Sequence, residues 1–300
     1  MNILLTGARG FIGRHTMADL LAAGHTVRPL DRKPDPDMPG GGIWYDLRDA
    51  DRLGLAFEGR RYDAVIHLAA SASLQHSIDD PADDAEHNIL GTINLLEACK
   101  RHGMGRFVFA STSAVYSPYG DLPYQEDDPK GPQSAYGVSK LAGEDYVRLA
   151  AVSGRGMSIA ILRYGNVYGP GQKAVGENAL VARALDHIYF GTPFVINGDG
   201  DQTRDWIHVR DVARANRLAA ERQVPIVANI ATGEGKSVNW ALGVLAAAAG
   251  WQDIFKTHGP AKPGELRDVR LHCAQASIGL GFVAEIPAAE GLTDTAVAWA

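Results

Sequence analysis

The octapeptide TGARGFIG, residues 6–13, joins the apolar run NILLT (2–6) to the helical pattern FIGRHTMADLLAAG (11–24), and no other stretch restricts the fold as tightly. A strand that turns through glycines straight into a helix opens a βαβ unit. Gly7, Gly10 and Gly13 are spaced G-x-x-G-x-x-G. In such a turn one glycine makes the bend, one lets backbone approach a diphosphate, and one lets helix and strand pack closely. Unpaired N–H groups at the helix start then meet the phosphate charge. Three glycines can also be a plain loop, and it is the strand before and the helix after that give them meaning. Phe11 and Ile12 lie inside the same candidate dinucleotide contact.

The pattern continues with strands at TVRPL (26–30), IWYD (43–46), AVIHLAA (64–70), RFVFAST (106–112) and SIAILRYG (158–165). Helical spacing fills 84–103 and the run from about residue 134. Strands separated by helices predict a parallel sheet covered on both faces, wound through right-handed crossovers. After residue 165 the rhythm breaks into GNVYGPGQKAVGE (165–177) and separate elements at 179–190, 193–198, 205–209, 211–221 and 226–232. The expected class is α/β: a doubly wound Rossmann sheet with a smaller, discontinuous α/β substrate-binding cap. Residues 1–165 with about 205–232 are assigned to the dinucleotide-binding part, and about 166–204 with 233–300 to the cap.

Composition narrows the function by exclusion. A net charge of −6 over 300 residues offers no basic field for nucleic acid. The two cysteines, Cys99 and Cys273, make neither a disulfide framework nor a metal motif, so no metal is expected. Without an apolar run near 18 residues or a charged leader, no membrane association is expected, and the cytoplasm is the expected location.

Asp31 closes the second strand. A carboxylate there accepts the adenosine ribose hydroxyls and repels a 2′-phosphate, which favours NAD; a solvated loop acid is the alternative. Arg32 beside it could instead receive a phosphate. Asp46, with Leu47, could reach the adenine amine. Leu68, Ala69 and Ala70 end the fourth strand with side chains small enough to admit the cofactor, whereas His67 reads as a packed strand residue.

The fifth strand ends in Ser111, Thr112 and Ser113, where ligands of an open α/β sheet sit. QSAYGVSKLAGE (133–144) then sets Tyr136 four positions before Lys140, on one helix face. A tyrosine acting as base near neutrality needs its pKa lowered by about three units, roughly 4 kcal/mol. A nearby ammonium lowers it. Lys140 is therefore expected to depress Tyr136 and to hold the cofactor ribose, with Thr112 bonding the substrate hydroxyl. An ordinary exposed Tyr and Lys would be the alternative.

At TGARGFIG, HLAA, DPADDAEHNILGTINLLEAC, FASTSAVYS, SAYGVSKLAGE, LRYGNVYGPG and GDGDQTRDWIHVRDVA the chain resembles the extended short-chain dehydrogenase/reductases, specifically the NAD-dependent sugar epimerase/dehydratase family. It is most similar there to nucleotide-sugar 4-epimerases of the UDP-glucose/UDP-galactose type. The resemblance implies NAD, a nucleotide-diphosphate sugar, and transient oxidation at C4 with Tyr136 as base. It implies that Asn88 braces the site and Tyr164 borders the cofactor. Asn166, Asn178, Val195 and Ser113 would touch the sugar nucleotide, and Arg204 a diphosphate oxygen; a bridge from Arg204 to Asp205 or Asp211 is the alternative. A homodimer through the helices at about 84–101 and 135–152 is also implied.

Departures accompany the match. Lys262 and Glu265, in AKPGELR, stand where the family has arginine and acid, which leaves Lys262 or Arg267 for the diphosphate. Ser117 replaces the glycine after VY. Ser113 and Ala114 stand where sugar 4,6-dehydratases place an Asp–Glu pair, which argues against dehydration. An NAD-dependent nucleotide-sugar dehydrogenase or 4-ketoreductase could use the same parts, and a non-catalytic NAD-binding sensor could use the same fold.

Overall fold

The computed structural model describes residues 1–39, 41–153, 156–174, 179–261 and 264–299. In chain order its strands are β1 (Asn2–Thr6), β2 (Thr26–Asp31), β3 (Ile43–Trp44), β4 (Ala64–His67), β5 (Arg106–Thr112), β6 (Ser158–Tyr164), β7 (Asn166–Tyr168), β8 (Phe194–Asn197), β9 (Thr203–His208), β10 (Ile226–Ile230), β11 (Gly235–Ser237) and β12 (Lys256–Gly259). Its helices are α1 (Phe11–Ala22), α2 (Ala50–Leu55), α3 (Leu74–Asp79), α4 (Pro81–Ala85), α5 (Gly91–Arg101), α6 (Ala135–Ser153), α7 (Leu180–Phe190), α8 (Val209–Glu221), α9 (Val238–Ala248) and α10 (Ala288–Val297).

Seven strands form one parallel sheet in the order β10-β6-β5-β4-β1-β2-β3. The alternation of side chains along each strand builds two cores. Ile3, Leu5, Ile66, Val108 and Leu162 face one layer, with Met17 and Leu20 of α1 and Val212, Ala215 and Ala219 of α8. Leu4, Val65, Phe107, Phe109 and Ile161 face the other, with Leu53, Leu95, Leu96 and Val147 from α2, α5 and α6. Strands apolar on both faces require such double cover, which is why the sheet is parallel. The order reverses between β1 and β4, so their following loops part and open a crevice at the carboxyl ends.

Differences from the sequence reading are local. β4 stops at His67, because Leu68–Ala70 leave the sheet to pass beneath the glycine turn: Leu68 N donates to Thr6 O at 3.2 Å and Ala69 N to Thr6 Oγ1 at 3.2 Å. The long helix expected over 84–103 is α4, a π turn at Glu86–Leu90, and α5. That wide turn faces Asn88 inward, where its amide is fully engaged. Helices α2 and α3, six residues each and capped by Asp49 and Ser73, are too short to show periodicity in the sequence.

The remaining strands form small sheets beside the crevice. β9 lies between β7 and β11, and β8 pairs with β12. Leu185, Phe194, Trp206, Leu242, Leu245 and Leu292 make their core with α7, α9 and α10. β10 returns to the large sheet beside β6, and α8 packs against α1.

A carboxylate pins α6 to the sheet. Glu144, 0% exposed, accepts Ser111 Oγ at 2.6 Å, Arg163 Nε at 2.8 Å and Nη2 at 2.7 Å, and Arg148 Nη2 at 2.7 Å. Breaking a buried pair strands a charge and costs about 3–5 kcal/mol. Glu144→Ala should therefore lose stability of that order in urea unfolding, while Asp145→Ala on the exposed side of α6 should lose well under half as much.

Candidate active site

The glycine turn is built by close approach. Gly7 has φ +68°, and a Cβ on it would stand 2.6 Å from Ala69 N; one on Gly13 would stand 2.1 Å from Gly7 O. Gly10 caps α1 with no side-chain partner for the helix's first N–H groups. The result is a bare backbone cradle opening to the crevice, which fits a dinucleotide diphosphate. It floors one end of a cavity of about 670 Å³, a size suited to a cofactor with substrate.

The structure brings most of the candidate residues to this cavity. Gly7, Gly10, Phe11, Ile12 and Gly13 line it from the turn and α1, and Leu68 and Ala70 from the end of β4. Ser111, Thr112, Ser113, Tyr136 and Tyr164 form its middle, and Asn166, Val195, Arg204 and Glu265 its far end. Asp31, Asp46, Leu47 and Ala69 are not among its lining residues. Asp31 accepts the N–H groups of Arg9 at 3.1 Å and Arg32 at 2.8 Å, while the Arg32 guanidinium turns to His87 at 2.7 Å. Asp46 is held by Arg48, Nε at 3.1 Å and Nη2 at 2.9 Å, and Leu47 is buried beside Gly91. Ala69 lies under Gly7. Asn178 and Lys262 lie outside the described residues.

Asn88 binds three elements at once. It accepts from Ser71 N at 2.8 Å and donates to Ser71 O at 2.9 Å, Asp84 Oδ1 at 3.0 Å and Ser139 Oγ at 3.1 Å. Ser139 Oγ in turn donates to Tyr136 O at 3.0 Å. The loop after β4 and the first turn of α6 are thus tied together. His67 is buried between Thr6 Oγ1 at 2.7 Å and Thr92 Oγ1 at 3.0 Å, and burial pushes its pKa down to about 3, a packed strand residue as read.

The electrostatics of the Tyr–Lys pair differ from the sequence expectation. Burial pushes the Tyr136 phenol up to about 12; a hydrogen bond with Thr112 pulls it back, and the charge of Asp84 adds to the rise. Burial pushes Lys140 down to about 8, against the pull of Asp84 and Glu144. Its ammonium sits 4.8 Å from the Phe109 ring centre. The lysine does not depress the phenol in this state, because desolvation is the largest influence on Tyr136 and also pushes Lys140 toward its neutral form.

At the far end Arg204 donates Nη1 to Thr203 O at 2.8 Å and Arg267 O at 3.0 Å, and Nη2 to Glu265 Oε2 at 3.0 Å. The alternative bridges are not formed. Asp205 instead accepts Thr232 N at 2.8 Å, Thr232 Oγ1 at 2.7 Å and Gly233 N at 3.0 Å, and Asp211 pairs with Arg214 at 3.0 Å. Arg267 turns outward to Asp199 at 3.0 Å. Three neighbours escaped the sequence reading: Glu144, Asp84 and the cavity-lining Arg183, which lies 5.7 Å from the Phe194 ring. Glu144 had a signal, since it extends Tyr136 and Lys140 by another four residues on the same face.

Because Lys140 titrates near 8 in the fold and at 10.5 ordinarily, the unfolded chain binds more protons across that window. Stability rises with pH wherever the unfolded state binds more protons. The stability of the wild type minus that of Lys140→Met should therefore increase between pH 8 and 10, as read from urea unfolding. A difference that stays flat would contradict the burial of a charged lysine here.

Comparison with known proteins agrees with this geometry. Residues 3–231 match the model of the NAD dependent epimerase/dehydratase family. The UDP-glucose 4-epimerase of Mycolicibacterium smegmatis is 34% identical over 315 residues, covering 98% of this chain and 97% of that protein. The crystal structure of the Thermotoga maritima UDP-glucose 4-epimerase with UDP-glucose superposes with a TM-score of 0.94 at 34% identity, covering 100% of this chain and 98% of that one. The Thermus thermophilus UDP-glucose 4-epimerase complex with NAD gives 0.92 at 36% identity, covering 100% and 99%. With the glycine cradle, the Tyr–Lys helix and the cavity between them in place, the chain belongs to the NAD dependent epimerase/dehydratase family.

Proposed function

We propose that this chain inverts C4 of a uridine-diphosphate hexose of the glucose/galactose type, with Tyr136 as the base. NAD, when bound, would supply a reversible hydride acceptor and a positive ring that favours the phenolate. Tyr136 takes the proton of the C4 hydroxyl, Thr112 bonds the same oxygen, and Lys140 holds the nicotinamide ribose. A 4-keto sugar results, and its turning presents the opposite face for reduction while Tyr136 returns the proton. In this reading the residues 166–204 and 233–300 act as the cap that holds the nucleotide.

The observation that carries the reading is the position of Tyr136 beside Thr112 in the lining of a cavity that also includes the glycine turn, Arg204 and Glu265. Ser113 and Ala114 flank it without a carboxylate, so proton removal at C5 has no base there. Purified protein, without added cofactor, should interconvert UDP-glucose and UDP-galactose by NMR, with no stoichiometric NADH. NADH accumulating when excess NAD is added would mark a dehydrogenase, and no conversion with or without added NAD would remove the reading. Tyr136→Phe should retain bound NAD and lose about 10²–10⁴-fold in kcat.

The same reading includes a homodimer. Val138, Tyr146, Leu149 and Val152 of α6 and Leu90 beside α5 are 41–86% exposed, more apolar surface than two solvent-facing helices need. Leu149→Glu with Val138→Glu should convert a dimer to a monomer in light scattering; a wild type already monomeric would refute this part. Among the described residues no helix is long and apolar enough to cross a membrane, and no His, Cys, Asp or Glu cluster is suited to a metal. A cytoplasmic location fits this reading.

A further inference from the structure

The cofactor end of the cavity is rich in arginine. Arg9 belongs to the glycine turn and Arg14 to α1, and both line the cavity; Arg32 follows Asp31. An arginine beside the adenosine ribose accommodates a 2′-phosphate, whereas a carboxylate there binds the ribose hydroxyls. This chain has both, and the hydrogen bonds decide between them.

Arg32 is turned away, 2.7 Å from His87. Asp35, in the loop four residues beyond Asp31, accepts Arg9 Nε at 3.4 Å and Arg14 Nη2 at 2.5 Å. Its other oxygen accepts Asp37 N at 3.2 Å, which fixes the carboxylate. Asp35 is 8% exposed, while Arg9 and Arg14 remain 32% and 56% exposed. The carboxylate is the anchor, and the guanidinium groups are the parts drawn to it. Arg14 Nε also donates to Arg9 O at 3.3 Å, which ties the Arg14 side chain to the backbone of the glycine turn.

We propose that Asp35 is a cofactor-specificity residue, which holds Arg9 and Arg14 away from the position of an adenosine 2′-phosphate and so restricts the site to NAD. Both guanidinium groups go to Asp35 while Asp31 is held by backbone N–H groups, so a phosphate of about two negative charges meets the Asp31 carboxylate with Arg9 and Arg14 engaged elsewhere. With the Asp35 charge removed, Arg9 is free to grip a phosphate with its fork. Asp31 binds the ribose; Asp35 withholds the competing arginines. The inference rests on the site's taking NAD at all.

The test is a competition on the protein as purified. It is equilibrated with equal excesses of NAD and NADP, freed of unbound nucleotide and denatured, and the released nucleotides are quantified by chromatography. Wild type should release NAD almost alone. Asp35→Asn and Asp35→Ser should raise the released NADP-to-NAD ratio at least about tenfold, the effect of one charge-assisted hydrogen bond. Adding Arg9→Gln to Asp35→Asn should return the ratio to the wild-type value. An unchanged ratio in both Asp35 variants, or a gain that survives Arg9→Gln, overturns the proposal. Wild type that retains neither nucleotide overturns the NAD reading itself, and the proposal with it.

Discussion

Everything at the reactive end hangs on Glu144. Its two oxygens take four hydrogen bonds, from Ser111 on β5, Arg163 on β6 and Arg148 one turn along its own helix. Arg163 passes the tie onward, donating to Tyr116 OH at 3.0 Å and Glu126 O at 2.7 Å, and Tyr116 reaches Asn229 Oδ1 of β10 at 2.6 Å. Such a buried network adds little net stability over an apolar core, because desolvation offsets the attraction. What it fixes is orientation. With α6 held at Glu144, the residues four and eight positions earlier on the same face, Lys140 and Tyr136, can only point toward the end of β5.

That geometry comes with an electrostatic cost. The phenol is displaced away from the ionised form and the ammonium away from the charged form, and burial is the leading cause of both. A site in which both partners are disfavoured as ions is quiet until something charged arrives. A cationic ring facing the phenol would pull Tyr136 back toward the phenolate without any movement of the protein. In the proposed reading the base is armed by the oxidised cofactor, and Thr112 keeps it aligned meanwhile. A tyrosine left ionised at rest would need a permanent neighbouring cation, and burial pushes the nearest one, Lys140, toward its neutral form.

The sequence disclosed what depends on local pattern. The glycine turn, the strands through β6 and the α6 helix follow from spacing, because parallel strands are continuous apolar runs and a helix start carries its own signals. Sequence order also placed Thr112 and Tyr136 together, since both follow strands or loops at one sheet edge. What it did not disclose depends on contacts distant in the chain. Nothing near Arg204 says that its partner is Glu265, 61 residues on. Nothing near Asp35, in the loop DRKPDPDMPGGG, marks it as the partner of arginines more than twenty residues earlier. The pKa expectation for Tyr136 failed for a related reason: spacing shows which charge is near, but not how much water has been removed from it.

The two ends of the cavity are built differently, and the difference suits an inversion. At the far end the polar groups are paired and backed: Arg204 is fixed by two carbonyls and a carboxylate, and Asp205 behind it draws Thr232, Gly233 and Leu271 N into one knot. Next to Thr112 the lining side chains are short, Ser113 and Ala114. A 4-keto intermediate that must turn over between two hydride transfers gains from a firm hold on its diphosphate and loses from a firm hold on its ring. Tight contacts to every hydroxyl would favour one epimer and trap it. In the proposed reading, a hold at Arg204 and Glu265 with fewer contacts at the sugar would discriminate by nucleotide and leave C4 free to present either face.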